Sequence, residues 1–431
     1  MASTYLTRTI GTTGNRKTFT YSTWIKRGNI GSYQPFMGDV TDAGNDYFTV
    51  YFENPDKLQI YSQLGGPTVI HLSTNREFRD TSAWYHIVIA TDTTQATASD
   101  RVKIYVNGVQ ETSFSVATYP NQNTDLAINI SGETQEVGAG HTLSSYTFDG
   151  SMSHVHFIDG TAYDATAFGE YDANGVWTIN TSPSVTYGTN GFFILKDGNS
   201  VTDQSPNTNN FTVGGGTLTN TLDCPDNVFA TGNALIPSTT LTQGNLSISA
   251  GSSVNRTAFS TIAVSQGKWY FEMKPSASFG MIGITDISQA VYSNYPGQVS
   301  RGYGYNYNGQ KYNNGSSSSF GATFGSGDIV GCAVDLDNNK IYFSKNGTWQ
   351  NSGDPTSGAT GTGSAFDLTD GYDYSLAFHA YNGSTTNGNF GNGYFGTTAV
   401  SSAGTNASGI GIFEYDVPTG FTSLSTKGLN L

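Results

Sequence analysis

Large apolar residues recur at every second position along much of this chain. Phe19-Thr20-Tyr21-Ser22-Thr23-Trp24-Ile25 alternates bulky apolar with small polar side chains, the period-two pattern of a half-buried strand. The same pattern predicts strands at Tyr47–Phe52, Leu58–Tyr61, Trp84–Thr91, Val102–Val106, Leu126–Ile130 and Gly150–Ile158. Asn107-Gly108 predicts a tight hairpin, because both residues tolerate the positive φ of a type I′ turn. From Thr161 to about Leu235 the alternation loosens. Gly191–Leu195 reads as one strand there, Cys224-Pro225-Asp226-Asn227 as a turn, and Ser238–Gly244 as a short connection beside the domain boundary. The second half repeats the logic: Lys340–Ser344 running into Lys345-Asn346-Gly347 echoes Lys103–Val106 with Asn107-Gly108. Short strands at regular spacing predict an all-β chain with two sandwiches in tandem. The expected layout is a first sandwich over 1–160, closing strands and linker over 161–240, a second sandwich over 241–398 and a closing segment over 399–431.

Composition agrees and narrows the function. Charged residues are 12% and aromatics 13%, with 53 Gly among 431 residues, which favours turns and strands over helices and argues against disorder. The net charge of −14 repels phosphate backbones and anionic lipid surfaces, so nucleic acid is not an expected partner. No apolar run approaches the ~18 residues of a membrane span, so membrane insertion is not expected either. The start, Met1-Ala2-Ser3-Thr4, lacks the apolar core of a signal peptide. Cys224 and Cys332 fall on either side of the expected boundary, which predicts two free thiols and folding in a reducing cytosol. A virion component, made in the host cytoplasm and released by lysis, reconciles these facts.

Four motifs in order give the first half a resemblance. They are Trp24-Ile25-Lys26, then Ala83-Trp84-Tyr85-His86-Ile87-Val88, then Val102-Lys103-Ile104-Tyr105-Val106-Asn107-Gly108-Val109, then Phe148-Asp149-Gly150-Ser151-Met152-Ser153-His154-Val155. Over its first ~150 residues the chain resembles laminin-G-like domains, which implies a concanavalin A-like jelly-roll β-sandwich. Gly267–Glu272, Met281-Ile282-Gly283-Ile284-Thr285-Asp286, Gly302-Tyr303-Gly304-Tyr305, and Gly327–Asp335 with the Asn346-Gly347 hairpin resemble a SPRY domain across Leu246–Phe395. That resemblance implies a second sandwich of the same kind, with peptide-binding loops at one end. Tyr5–Thr9, Gly14–Lys17, Tyr187–Phe192, Asn227–Thr231 and Phe413–Phe421 are similar to segments of tail- or fibre-associated structural proteins of bacteriophages, notably marine ones. No heptads and no separate attachment domain precede Thr18, so attachment through a sandwich surface or the C-terminal segment is expected.

Candidate chemistry is sparse. Glycosidases on such a frame need paired carboxylates, and Glu414-Tyr415-Asp416 is the nearest run; a solvated closing strand explains it better. His154 and His156 share a strand face, but no third ligand completes a zinc site. Asp39, Asp42 and Asp46 form an acidic loop of the kind that holds calcium in some laminin-G-like domains, although ordinary turns use Asp as well. No other cofactor is expected. The richest patch is aromatic: Tyr295, Tyr303, Tyr305, Tyr307 and Tyr312, with Arg301 as a hydrogen-bonding fork. Tyr303, Tyr305 and Tyr307 share one strand face, which is either a ligand surface or the sandwich core.

The expected function is therefore a non-enzymatic virion surface protein that recognises a glycan or protein of the host envelope. The alternative is a structural decoration or adaptor protein binding other virion proteins. A polysaccharide depolymerase is a weaker third reading, because the chain shows no catalytic pair. Homo-oligomer formation stays open.

Overall fold

The computed structural model describes residues 4–42, 45–140, 146–196, 198, 200–236 and 241–431, without the side chains of 40–42. It is nearly all β and divides into two compact units, Met1–Asn220 and Thr221–Leu431. The stretch 161–240 is therefore shared between them: Ala230 N donates to Leu424 O and Gly232 N to Asn245 O, tying 229–232 to the second unit.

In the first unit the strands are β1 (Tyr5–Thr9), β2 (Thr18–Arg27), β3 (Gln34–Asp42), β4 (Asp46–Glu53), β5 (Lys57–Gln63), β6 (Thr68–Glu77), β7 (Tyr85–Asp92) and β8 (Val102–Val106). They continue with β9 (Val109–Glu111), β10 (Phe114–Thr118), β11 (Thr134–Val137), β12 (Gly150–Asp159), β13 (Gly169–Tyr171), β14 (Trp177–Ile179), β15 (Phe192–Ile194) and β16 (Thr212–Gly215). One sheet runs β10-β6-β5-β4-β3-β11-β1-β16 and the other β15-β12-β2-β7-β8-β9. Alternation sends Phe19, Tyr21, Phe48, Val50, Phe52, Leu58, Ile60, Ile87 and Ile89 into a shared core between them. The Asn107-Gly108 hairpin joins β8 to β9 with φ of 48° and 82°, the turn its sequence predicts. The expected strand at Leu126–Ile130 is instead a buried loop. Asn129 takes a φ of 64° there, which breaks the extended run, and its backbone N donates to the Asp39 carboxylate at 2.9 Å.

The second unit repeats the plan. Its strands are β17 (Leu241–Thr242), β18 (Ser247–Ser249), β19 (Asn255–Val264), β20 (Lys268–Pro275), β21 (Met281–Asp286), β22 (Gly302–Asn306), β23 (Gln310–Asn313), β24 (Ser316–Ser319) and β25 (Val330–Asp335). Then come β26 (Lys340–Lys345), β27 (Thr348–Trp349), β28 (Phe366–Asp367), β29 (Tyr374–Tyr381), β30 (Thr385–Asn389), β31 (Tyr394–Phe395), β32 (Thr398–Ala399) and β33 (Thr422–Ser423). The sheet orders are β17-β18-β30-β20-β25-β26-β27, with β28 and β33 attached, and β19-β29-β21-β22-β23-β24. Cys224 and Cys332 both lie in this unit, which corrects the expectation that a boundary separates them; both are free, Cys332 inside the core.

In each unit one sheet is covered on both faces. Residues 163–193 fold back over the β15-β12-β2-β7 sheet, where Phe168, Tyr187 and Phe193 bury Val88 and Ile158. In the second unit Phe413, Val417 and Phe421 of the C-terminal segment pack on Tyr270, Ala333 and Tyr342. Glu272 pins that segment: its buried carboxylate accepts from Glu414 N and Tyr415 N, both at 2.9 Å. Glu414-Tyr415-Asp416 is thus an irregular strip held through its backbone, half-buried at Glu414 and Tyr415 and solvated at Asp416.

Candidate functional site

The outward face of the other sheet of the first unit is itself largely covered: Tyr47, Thr49, Tyr51, Gln59 and Ser73 are all less than 10% exposed, and Gly140 lies against Pro35 and Thr49. In the first unit β4 reads Asp46-Tyr47-Phe48-Thr49-Val50-Tyr51-Phe52-Glu53. Its Phe and Val enter the core, so Tyr47, Thr49, Tyr51 and Glu53 point outward. The neighbouring strands follow suit. Across the register, Pro35, Tyr51, Gln59 and Ser73 form one row, and Gly38, Thr49, Tyr61 and His71 the next.

The rings on this face touch. Tyr47 and Tyr61 stack with centroids 5.9 Å apart, and Tyr61 meets His71 edge-on at 5.2 Å. Tyr33 sits 6.0 Å from Tyr51 and 6.1 Å from Tyr146. Tyr33 and Tyr146 are 40% and 41% exposed, so the cluster presents rings to solvent at one side. Hydrogen-bonding groups lie between them: His71 bonds Gln59, Ser73 donates to Glu53, and Tyr61 Oη and Thr68 Oγ1 are 2.7 Å apart. Burial, with Tyr61 alongside, pushes the Tyr47 phenol up to about 12, and burial also raises Tyr51, so both are neutral hydrogen-bonding groups at physiological pH. Rigid neutral rings interleaved with amides, hydroxyls and a carboxylate suit a polyhydroxylated ligand, whose C–H faces stack and whose hydroxyls bond.

Glu53 on β4 and Glu136 on β11 share the face with Glu77 on β6, which lies two strands from Glu53 in the same row. Glu136 lies opposite Gly38, itself opposite Thr49, four residues from Glu53. Strand spacing and rise put their backbones roughly 17 Å apart. Glycosidic cleavage needs carboxyls separated by about 5–9.5 Å.

The tyrosines singled out from sequence lie elsewhere. Tyr303 and Tyr305 are 4% and 0% exposed inside the second core, where Tyr305 meets Phe320, Phe324 and Phe343 and donates its hydroxyl to Ala322 O. As ligand contacts they are therefore corrected: their strand face is the core face, and Tyr307 packs against the same core. The opposite face of β22 is glycine because the 287–301 loop lies on it; a Cβ at Gly304 would stand 2.4 Å from Pro296 O. Tyr295 and Tyr312 form an edge-on pair at 5.5 Å on that outward side, with Tyr295 also 6.4 Å from buried His379. Arg301 is half-buried at the loop end, bonded to Asp286 and stacked 4.0 Å over Tyr372. Sequence reading brought together only the Tyr295–Tyr312 pair. It missed Tyr33, Tyr47, Tyr51, Tyr61 and Tyr146, of which β4 and β5 tyrosines carried a signal: they occupy the polar phase of amphipathic strands.

The acidic trio does not converge. Asp39 is fully buried, its carboxyl pushed well up by burial and then by Glu133, and it accepts from Asn129 N. Asp46 accepts from Gly65 N at 2.6 Å at the hairpin end, and the side chain of Asp42 lies outside the described residues. Among the described residues no three His, Cys, Asp or Glu side chains group to hold a metal. His154 and His156 are both buried, with a bulge between Ser153 and His156 turning His154 to a φ of 49°.

Comparison with known proteins agrees with this architecture. Residues 2–166 match the concanavalin A-like lectin/glucanases superfamily and residues 268–391 match the SPRY domain. The chain thus carries a concanavalin A-like domain followed by a SPRY domain, and the first of these superfamilies takes in both lectins and glucanases. Ran-binding protein 9 of Danio rerio is 37% identical over 86 residues, 19% of this chain and 14% of that protein. The ATP-dependent RNA helicase Ddx1 of Drosophila melanogaster is 34% identical over 82 residues, 19% of this chain and 11% of that protein. The chain therefore covers about an eighth of the length of these relatives. Among solved structures, the SPRY domain of human HERC1 is 18% identical, covering 35% of this chain and 91% of that one with a TM-score of 0.29. A heptameric SAP-like pentraxin from Limulus polyphemus is 16% identical, covering 38% and 72% with a TM-score of 0.28.

Proposed function

We propose that this is a non-enzymatic recognition protein, carried on a virion surface, whose lectin-like unit reads a glycan of the host envelope. The outward face of β3–β6 supports the reading, because its tyrosines pair with one another at a solvent edge and alternate with hydrogen-bonding side chains. The virion setting rests on the likeness of the Tyr5–Thr9, Tyr187–Phe192 and Phe413–Phe421 segments to phage tail- and fibre-associated proteins.

The test is saturable binding of the labelled full-length protein to intact bacteria, with extracted envelope polysaccharide as competitor. Displacement by polysaccharide, lost in a Tyr33→Ala/Tyr146→Ala variant, is the expected result. Binding that the polysaccharide never displaces would overturn the glycan reading. Sugar release from the polysaccharide would instead make the protein a depolymerase.

A second reading has its own observation. In the SPRY unit Ile287, Val291 and Tyr372 are 51%, 42% and 38% exposed, with Arg301 lying on Tyr372. Ile287 N donates to Asp373 O, joining the two loops that carry this patch. An apolar rim with one cation suits a protein partner, such as another virion protein. Retention of the protein by assembled virions, abolished by Tyr372→Ala with Ile287→Ser, would favour it.

A further inference from the structure

One cleft of the first unit has walls braced by a dense set of hydrogen bonds. Pairing of β1 with β16 ends at Thr7–Thr212, so the β1 edge at Arg8 and Thr9 faces the 203–210 loop instead of a strand. Between them opens a cleft of about 420 Å³, within the ~300–1,000 Å³ range of small-molecule sites.

The loop wall is preorganised. The Asp203 carboxylate accepts from Phe193 N at 2.8 Å, Ser205 N at 2.9 Å, Ser205 Oγ at 2.8 Å and Asn209 N at 2.9 Å. Asn209 Nδ2 donates to Thr189 O and Gly191 O at 3.0 and 2.8 Å. Asn210 Oδ1 accepts from Asp203 N at 2.9 Å. Inside this brace Thr208 is held at a φ of 56°, a region that β-branched residues enter only when their surroundings impose it.

Arg8 is just as firmly placed. Its Nε donates to Gln135 Oε1 at 2.7 Å and its Nη2 to Asn190 O at 2.6 Å, while the guanidinium lies over Phe192 and Phe211. Its Nη1 makes no hydrogen bond among the described residues, and neither do the hydroxyls of Thr9, Thr134 and Thr208. The lining therefore offers donors and acceptors on several sides and contains neither a carboxylate nor an aromatic ring. Asp159 and Asp203 stand close enough to compensate the Arg8 charge, and the chain as a whole carries −14. Both facts disfavour an anion.

We propose that this cleft is a second sugar subsite, taking one neutral hexose unit through Arg8, Thr9, Thr134 and Thr208. It rests on the reading of the first unit as a glycan reader, yet shares no residue with the tyrosine face. With one guanidinium N–H and three threonine hydroxyls as contacts, the expected affinity for a free monosaccharide is about 1 mM.

The test is a titration of the full-length protein, with its threonine methyl groups labelled for NMR, against D-glucose, D-galactose and D-mannose separately. Expected are saturable shifts of the Thr9, Thr134 and Thr208 methyls with at least one sugar. Thr134→Val, which keeps shape and removes a hydroxyl, should raise that Kd about tenfold without changing the melting temperature. Absence of shifts with all three hexoses overturns the proposal, as does tighter binding of sodium glucuronate or sulfate. Because the shifts report the cleft itself, its failure leaves polysaccharide binding by the tyrosine face standing, and failure of that face leaves these shifts intact.

Discussion

On the outward face of the first unit's eight-stranded sheet stand Tyr47, Tyr51 and Tyr61; on that of the second unit's six-stranded sheet stand Gly283, Gly302 and Gly304. The two sandwiches bury their sheets by the same scheme, yet use the remaining face in opposite ways. In the first, tyrosines take the polar phase of strands whose other phase is Phe, Val, Leu and Ile, so their rings lie outside the core between the sheets, although Tyr47 and Tyr51 are themselves covered. In the second, tyrosines take the core phase of β22, and the outward phase shrinks to glycine so that the 287–301 loop can lie flat on the sheet. What distinguishes an outward aromatic face from a core is the phase of the aromatic residues relative to their neighbours, not their number.

The largest effect that would separate the units is acid. Burial lowers His86 to about 3 and His156 well below its usual value in the first unit, and His379 to about 3 in the second. A histidine depressed in the folded state takes its proton only on unfolding, so stability is present above about 6.5 and is lost as pH falls toward about 3. Glu133 and Glu272, raised to about 7 by burial, act in the opposite sense and lose stability as pH rises from about 4.5 to 7. In the first unit Asp39, Glu136 and Asp149, also raised by burial, act with Glu133, whereas in the second Asp286 and Asp328, lowered against burial by their hydrogen bonds, lose stability as pH falls. Calorimetry of the full chain from pH 7 to 3 should therefore show the second unit's transition falling faster. Equal slopes would sink this account.

Smaller effects probe the phase argument directly. Tyr305→Ala should cost the second unit about 3–5 kcal/mol, as for other buried aromatics, and leave the first unit's urea transition in place. A cost under about 1 kcal/mol would mean the ring is not core. Gly304→Ala should cost about 1–3 kcal/mol, because its Cβ would meet Pro296 O at 2.4 Å and Met281 Sδ at 2.5 Å. The 287–301 loop should become a protease site in that variant while the core stays folded.

Much of this architecture was legible in the chain itself. Period-two alternation located β2, β4, β5, β7, β8 and β12, and Asn107-Gly108 marked its hairpin, because these are local rules. Leu126–Ile130 misled because an apolar run is equally content as a buried loop when a residue such as Asn129 accepts a positive φ. The sheet covers were not legible: Phe168, Phe193 and Phe413 reach their partners through long-range packing that no local pattern announces. For the site, the β4 and β5 phase was readable in principle. Tyr33 and Tyr146 were not, since they lie in connections and meet only in the fold.

Those two rings provide the smallest stability effect and the sharpest functional one. Each is about two-fifths exposed, and neither joins the core, so Tyr33→Ala and Tyr146→Ala should each change stability by less than about 0.5 kcal/mol. Each removes a rigid face from the solvent edge of the cluster that also holds Tyr51. If a sugar ring stacks there, polysaccharide affinity should fall about fivefold to tenfold per ring, or about 1 kcal/mol. The double variant should lose more than either single change but less than their product, because the rings touch and share one ligand surface. Glycan-array or polysaccharide titration against an unchanged urea midpoint reads both quantities on one preparation. Unchanged affinity in the double variant would move recognition off this face and onto the loops of the second unit, reversing the assignment of roles between the two sandwiches.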